Sequence, residues 1–381
     1  MFNIVLFFNK ILNGGEVPND WAKILVIMLY KKGDSMNPEN YRPIALVNTV
    51  TKLFTQILYD RLFNWNKVFK VIPEFQSGFR AGRGCADNIF VLNSMIQYQL
   101  QKTRGKIFTL FVDFRKAFPS VNHNILWKKL LNKGLSPKFV KIFISLYSKA
   151  QMNVKLGEEI SPPVEVTEGV LQGEVLSPFL FALFLSDLLE FLESRGIRGV
   201  SVDSKEEITL LAYADDLIYF SNTAPGMQRI LNALLEYCSI NCLTLNPTKS
   251  KIVIFKKGGA VNAKMKFKYG TENIEVVNEY IYLGTIFSIR GLFEKAAKSF
   301  SAKATLASIS TISLIKTIKY NMQWNKINLL FDSLISSVIM HSSAIWGPKH
   351  LDSIEKIQCQ FFKKLLCLLF YLNVPQTMLS E

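Results

Sequence analysis

The chain has 381 residues, 49% of them hydrophobic and 12% aromatic, which is enough apolar material for two or three subdomains with their own cores and excludes a disordered chain. Its 45 Lys and Arg against 30 Asp and Glu leave a formal charge of +15, so the partner it favours is a polyanion, either nucleic acid or an anionic membrane surface. No apolar run reaches the ~20 residues of a membrane span: FNIVLFF stops at Asn9 and Lys10, and FLFALFL stops at Ser186 and Asp187.

In chain order, MFNIVLFFNKILNGG carries its charge after the apolar run and offers no clear cleavage site, so it is not read as a signal peptide. Residues 23–30, KILVIMLY, predict a strand, and NTVTKLFTQILYDRL from residue 48 predicts an amphipathic helix capped by Asn48 or Thr49. A polar loop with Lys31, Lys32 and Arg42 lies between them. A second polar loop, QSGFRAGRGCADN, has three glycines and two arginines and leads into a helix near residues 87–102. KIFTLFVDF, ending at Asp113, has the continuous apolar pattern of a strand buried on both faces. Helices follow at about 122–133 and 137–148, then a hairpin over AQMNVKLGEEISPPVEVTEGV, then a long helix starting at Ser177 or Pro178.

LLAYADDLIYF at 210–220 reads as two short strands about a tight turn, with Asp215 and Asp216 at the tip. A helix at about 224–242 and the strands KIVIF and YIYLGTIF come next. Cys238 and Cys242, four apart on that helix, read as core-facing thiols. The five cysteines form no CxxC pair and there are three histidines, which argues against zinc; an odd thiol count without a secretory segment suits a reducing, intracellular compartment and no disulfide-linked partner. From about residue 288 the chain becomes helical and basic, with 11 Lys and Arg against 4 Asp and Glu between Arg290 and Lys364. There is no internal repeat.

Two adjacent carboxylates repel, so such a pair persists where it faces water or where cations neutralise it. Taken alone, Asp215 and Asp216 fit a solvated turn. If their strands neighbour the one ending at Asp113, three carboxylates converge, and hard oxygen ligands without histidine or thiol suit Mg2+. Two such ions stabilise the attacking and the leaving oxygen of an in-line phosphoryl displacement, which is nucleotidyl transfer.

Seven stretches then carry a resemblance: GDSMNPENYRPIALVN, FQSGFRAGRGCADN, FVDFRKAFPSVNH, EGVLQGEVLSPFLFALFLSDL, AYADDL, LTLNPTKSKIVIF and YLGTIF. In this order they resemble the motifs of reverse transcriptases, specifically those of non-LTR (LINE-type) retrotransposons. The resemblance runs from about residue 18 to 290. It implies a right-hand α+β polymerase: residues 1–17 as a partial N-terminal segment, 18–290 as fingers and an antiparallel-sheet palm, and 291–381 as a basic helical thumb-like region. It also implies an RNA template, a DNA primer and dNTPs as partners, no membrane, and two Mg2+ ions, with Mn2+ as an alternative.

The resemblance assigns roles as well. Asp113 and Asp215 are the implied metal ligands, with the backbone carbonyl of Phe114, and Asp216 supports them. Phe118 matches the aromatic beneath the incoming sugar, Gln172 and Gly173 the contacts to the nascent base pair. Arg80, with Lys31 and Arg42, is expected to hold the triphosphate, and Lys249 to donate a proton to pyrophosphate. Tyr282, Leu283 and Gly284 resemble the primer grip. Pro119 stands where many relatives carry a second aspartate, and Glu174 where small or polar residues are frequent, placing negative charge near the site. No endonuclease domain, CCHC knuckle or ribonuclease H signature is present, so a truncated copy is expected. The competing readings are a catalytically silent nucleic-acid-binding remnant and a maturase-like RNA-binding protein. Genomic DNA as a partner implies nuclear access for an active protein, and a cytoplasmic location otherwise.

Overall fold

The computed structural model describes residues 2–202, 206–259, 265–318 and 323–373; the end of the expected thumb region, 374–381, lies outside the described residues. The chain falls into two units, Met1–Gly84 with Phe108–Ile252 and Lys264–Glu275, and Cys85–Ile107 with Val253–Ala263 and Val276–Glu381.

In the first unit the strand Lys23–Tyr30 forms as expected and pairs antiparallel with Tyr41–Val47, from Ile24 opposite Val47 to Tyr30 opposite Tyr41, and parallel with Gln151–Leu156. The Tyr41–Val47 strand is absent from the sequence reading, which placed Arg42 in a loop. Pro43 conceals it: proline cannot donate to a ladder and is tolerated on an edge strand, which this is. The polar segment between the two strands is therefore the tip of a hairpin, where Lys31 N–H donates to the Asn40 carbonyl at 2.8 Å. Helix Thr49–Phe69 starts where the Asn48 side chain accepts the Val50 N–H at 2.8 Å. Phe54 on this helix packs its ring 5.3 Å from both Phe8 and Trp21, which fastens the N-terminal helix Phe2–Gly14 to the same core.

The strand Asp216–Ser221 is flanked by two antiparallel partners, Lys106–Val112 and Leu210–Tyr213. Ile107 through Val112 are all buried, as the unbroken apolar run required. The single long helix expected from Ser177 is two, Ser177–Phe184 and Leu188–Ser194. The chain breaks just before Asp187, whose carboxylate accepts from Lys129 Nζ at 2.6 Å and from the Tyr237 hydroxyl at 2.7 Å, so Lys129 of helix His123–Asn132 and Tyr237 of helix Ala224–Ile240 meet at that break.

In the second unit, YIYLGTIF forms a hairpin, Glu279–Tyr282 with Thr285–Ser288, in place of the expected single strand. Helix Cys85–Gln101 is tied to this region by Asn88 Nδ2 to the Tyr282 hydroxyl (3.1 Å) and Gln97 Nε2 to the Gly291 carbonyl (2.8 Å). Helices Glu294–Ile318, Trp324–Phe331 and Leu351–Asn373 enclose an apolar core that includes Phe300, Ile327, Ile335, Trp346 and Phe361. The Phe300 and Trp346 rings stack at 5.3 Å. Among the described residues no single helix is long and apolar enough to cross a membrane.

Candidate active site

Sheet register brings the carboxylates together. Leu217 lies opposite Val112, so the next positions along the two antiparallel strands are Asp216 and Asp113. Asp215 sits with Ala214 in the two-residue turn closed by Tyr213 opposite Asp216. Ala214 adopts φ +58, a left-handed conformation that costs a side-chain-bearing residue ~1–2 kcal/mol. Asp113 is fixed by its backbone: its N–H donates to Ser250 Oγ at 3.1 Å and its carbonyl accepts from Asn246 N–H at 2.8 Å. Arg115 N–H donates to the Thr244 carbonyl, and the bridge between Phe114 and Leu245 lies between these two bonds. That alternation turns the Phe114 carbonyl to the opposite side of its strand, available as an oxygen ligand.

The charges at this point act on one another. Burial raises the Asp215 carboxyl above the usual range and Asp113 adds to the effect, while the Asp215 N–H, Arg42 and Lys31 oppose it. Asp216 keeps an exposed edge, yet loss of solvation, then the charges of Asp215 and Asp113, push it up to about 6. Lys31 is pulled below the ordinary lysine value, first by burial and then by Arg42 and Lys249, with Asp113 and Asp215 working against them. Lys249 Nζ lies 3.9 Å from Asp113 Oδ2, an ion-pair distance, and that oxygen is buried without a hydrogen bond. Two carboxyls, Asp215 and Asp216, held up by burial and by neighbouring carboxylates, beside the orphaned buried oxygen of Asp113, fit a hard divalent cation. Among the described residues no three His, Cys, Asp or Glu side chains already converge on a metal-sized point; the expected donor set is the strand-end carboxylate of Asp113, the turn carboxylate of Asp215, Asp216 in support, and the main-chain oxygen of Phe114.

The other expected residues are placed unequally. Phe118 is half-buried and stacks on Phe181 at 4.7 Å with ring planes 14° apart, which fixes its orientation. The Gln172 carbonyl accepts from Ala45 N–H at 2.7 Å, binding this loop to the Tyr41–Val47 strand, and Gln172 Oε1 is buried without a hydrogen bond. Gly173 has φ +102, and a Cβ there would stand 3.0 Å from the Ala45 carbonyl, so this close approach requires glycine. Arg80 differs from expectation: its guanidinium donates to Glu74 Oε1 (2.8 Å) and to the carbonyls of Pro73 (3.2 Å) and Gln76 (3.3 Å), bracing its own loop. The cations that bear on Asp215 are Arg42 and Lys31.

In the second unit, Tyr282 is buried, with its hydroxyl bonded by Asn88. Leu283 takes φ +45, and its carbonyl meets His341 Nε2 at 2.9 Å. Gly284 completes this turn.

Both departures from the family pattern are accommodated. Glu174 is buried and directs Oε2 to the Leu176 N–H at 2.7 Å, ahead of helix Ser177–Phe184, and its carboxyl is raised chiefly by burial. The unwanted negative charge expected from it is thus opposed by its own desolvation. Pro119 packs against Gly169, where a Cβ would fall 2.6 Å from the Pro119 carbonyl oxygen, and the flanking bonds Val170 N–H to Phe118 and Gly169 N–H to Val121 are made. Sequence reading missed Gln76, whose side chain bonds both backbone groups of Ala214; its position inside a recognised motif was the available signal.

The sequence profile of the family described as reverse transcriptase (RNA-dependent DNA polymerase) matches residues 30–287. An RNA-directed DNA polymerase from the mobile element jockey of Drosophila melanogaster is 22% identical over 95% of this chain and 39% of its own length. A retrovirus-related Pol polyprotein from the type-1 retrotransposable element R2 of Popillia japonica is 27% identical over 73% of this chain and 39% of its own length. The chain thus spans well under half of either relative. A telomerase from Candida albicans, solved in complex with a TWJ fragment of telomeric RNA, aligns over 97% of this chain and 68% of its own with a TM-score of 0.52 at 11% identity, a likeness of fold. On the profile match over residues 30–287, the chain belongs to the reverse transcriptase (RNA-dependent DNA polymerase) family.

Proposed function

We propose that the chain is an RNA-directed DNA polymerase that adds dNTPs to a DNA primer on an RNA template. The observation that carries this reading is the register of two neighbouring strands, which puts Asp113 beside Asp216 and the Asp215 turn, with Lys31, Arg42 and Lys249 around them. Asp113, Asp215 and the Phe114 carbonyl would hold Mg2+ or Mn2+, with Asp216 in support, and the bound ions would supply activation of the primer hydroxyl and neutralisation of the leaving pyrophosphate. Lys31 and Arg42 take charge from the triphosphate. Lys249, at ion-pair distance from Asp113, would pass a proton to the leaving group. The Phe118 ring, held flat on Phe181, would oppose a 2′-hydroxyl and so select deoxynucleotides. Tyr282, Leu283 and Gly284 would grip the primer, and the basic helices after residue 290 would track the duplex.

The test is extension of a DNA primer on an RNA template with dNTPs and Mg2+, run beside the Asp215→Asn, Asp216→Asn double variant. Synthesis by the wild type, lost at least about a hundredfold in the variant while template binding is retained, supports the reading. A folded wild type that binds template in a salt-dependent way and makes no DNA overturns it in favour of a silent remnant.

A further inference from the structure

We propose that Gln76 is a positioning residue for the carboxylate turn, its carboxamide clamping the one backbone unit whose conformation sets where Asp215 and Asp216 point; the catalytic part of this proposal rests on the polymerase reading above. The turn has an intrinsic difficulty. Ala214 must hold a left-handed φ of +58 although it carries a Cβ, and the hairpin ladder ends at the Tyr213–Asp216 pair on either side of it.

The Gln76 side chain supplies both missing partners. Its Oε1 accepts the Ala214 N–H at 2.9 Å and its Nε2 donates to the Ala214 carbonyl at 3.1 Å, so the carboxamide pairs with the peptide backbone as a neighbouring strand would. Oε1 also accepts the Gly78 N–H at 2.9 Å, which fixes the orientation of the amide, and Gln76 is 1% exposed. The main chain around it is anchored separately: Ala212 N–H donates to the Phe75 carbonyl at 2.8 Å and Ser77 N–H donates to the Ala212 carbonyl at 2.9 Å. Gly78 leaves no room for a side chain, since a Cβ there would lie 2.3 Å from the Ala214 nitrogen. From behind, Arg80 Nη1 reaches the Gln76 carbonyl at 3.3 Å. Segment 75–80 is thus a strap whose backbone grips the strand Leu210–Tyr213 and whose one buried amide grips the turn. Because the two attachments are independent, truncating the amide leaves the strap in place.

The test compares the full chain with Gln76→Ala, Gln76→Glu and Gly78→Ala by residue-resolved hydrogen exchange without substrates, and by single-turnover primer extension beside primer–template affinity. The Ala214 amide is expected to exchange about tenfold faster or more in Gln76→Ala, with the Phe108–Phe111 amides unchanged; the extension rate is expected to fall by a similar factor at unchanged primer–template Kd. Gln76→Glu keeps the acceptor and loses the donor, so it falls between wild type and Gln76→Ala. Gly78→Ala reproduces the Gln76→Ala pattern. Unchanged exchange at Ala214 overturns the proposal. So does faster exchange spread evenly over all three strands with a proportionate loss of folded protein, because that is the signature of a structural residue alone. If the wild type makes no DNA, the polymerase reading fails by itself, and the exchange data still decide whether Gln76 clamps the turn.

Discussion

Lys31 and Arg42 are the cations whose charge is felt by the Asp215 carboxylate, and Lys31 is itself depressed by burial and by its basic neighbours. Two cations bearing on each other and on one carboxylate are, on the proposed reading, the groups an incoming triphosphate would neutralise. Lys31→Ala and Arg42→Ala are each expected to raise the KM for dNTP about tenfold to a hundredfold, the worth of a charge-assisted hydrogen bond to phosphate, with primer–template affinity little changed; steady-state kinetics over a dNTP series checks this. Arg80→Ala is expected to leave KM unchanged, because its guanidinium is taken up by Glu74 and two carbonyls. Sequence singled out the three aspartates because acidic residues that taken alone would fit solvated turns fall, with seven ordered motifs, at the ends of apolar strands. It could not separate Arg80 from Lys31 and Arg42, since a cation's partner is chosen in three dimensions: Glu74 lies close in sequence to Arg80, while Asp215 lies far from Lys31. Gln76 lay in a recognised motif, but its role was hidden for the same reason, its partner being the backbone of Ala214.

Elements were legible where their signals were local and failed where a distant partner decided. Asn48 announced a helix that the structure starts there. Pro43 hid a strand because its tolerance depends on lying at a sheet edge, and the helix from Ser177 ends early because Asp187 is claimed by Lys129 and Tyr237. Lys129 also donates to the Phe184 carbonyl at 2.7 Å, and its ammonium stands 4.7 Å from the Phe184 ring centre. Lys129→Met should therefore cost about 3 kcal/mol, most of it from leaving the Asp187 carboxylate without a cation and with the Tyr237 hydroxyl as its remaining donor, and adding Asp187→Leu should recover part of the loss; urea unfolding of the four proteins of this double-mutant cycle measures both. Glu174 gives the element scale its pH dependence. Its folded carboxyl is raised by burial, so the stability it contributes is complete below the ordinary glutamate value and is lost as pH rises through the raised one. Glu174→Gln keeps an oxygen for the Leu176 N–H and carries no charge. It should be more stable than wild type by about 1 kcal/mol at pH 8, the two should converge near pH 4, and denaturant midpoints at both pH values check this.

For the whole molecule, a charge of +15 and a carboxylate site make opposite demands on a nucleic acid backbone. On the proposed reading, the basic excess would attract the phosphates of a duplex, while Asp113, Asp215 and Asp216 would repel them at the point of chemistry unless cations intervene. Binding and catalysis are therefore expected to separate by ionic strength. Affinity for an RNA–DNA primer–template should fall about 1,000-fold or more between 50 and 200 mM salt if six or more phosphates are neutralised, because each contact releases condensed counterions. The Asp215→Asn, Asp216→Asn variant should keep the same slope in a plot of log affinity against log salt, since it removes no lysine or arginine. In the absence of divalent ions it should bind as tightly as the wild type or more tightly, having lost two negative charges beside the backbone. A fluorescence anisotropy titration over that salt range measures both quantities. A shallower slope in the variant would mean that the carboxylates organise the basic surface, and the division between a binding body and a catalytic turn would not hold.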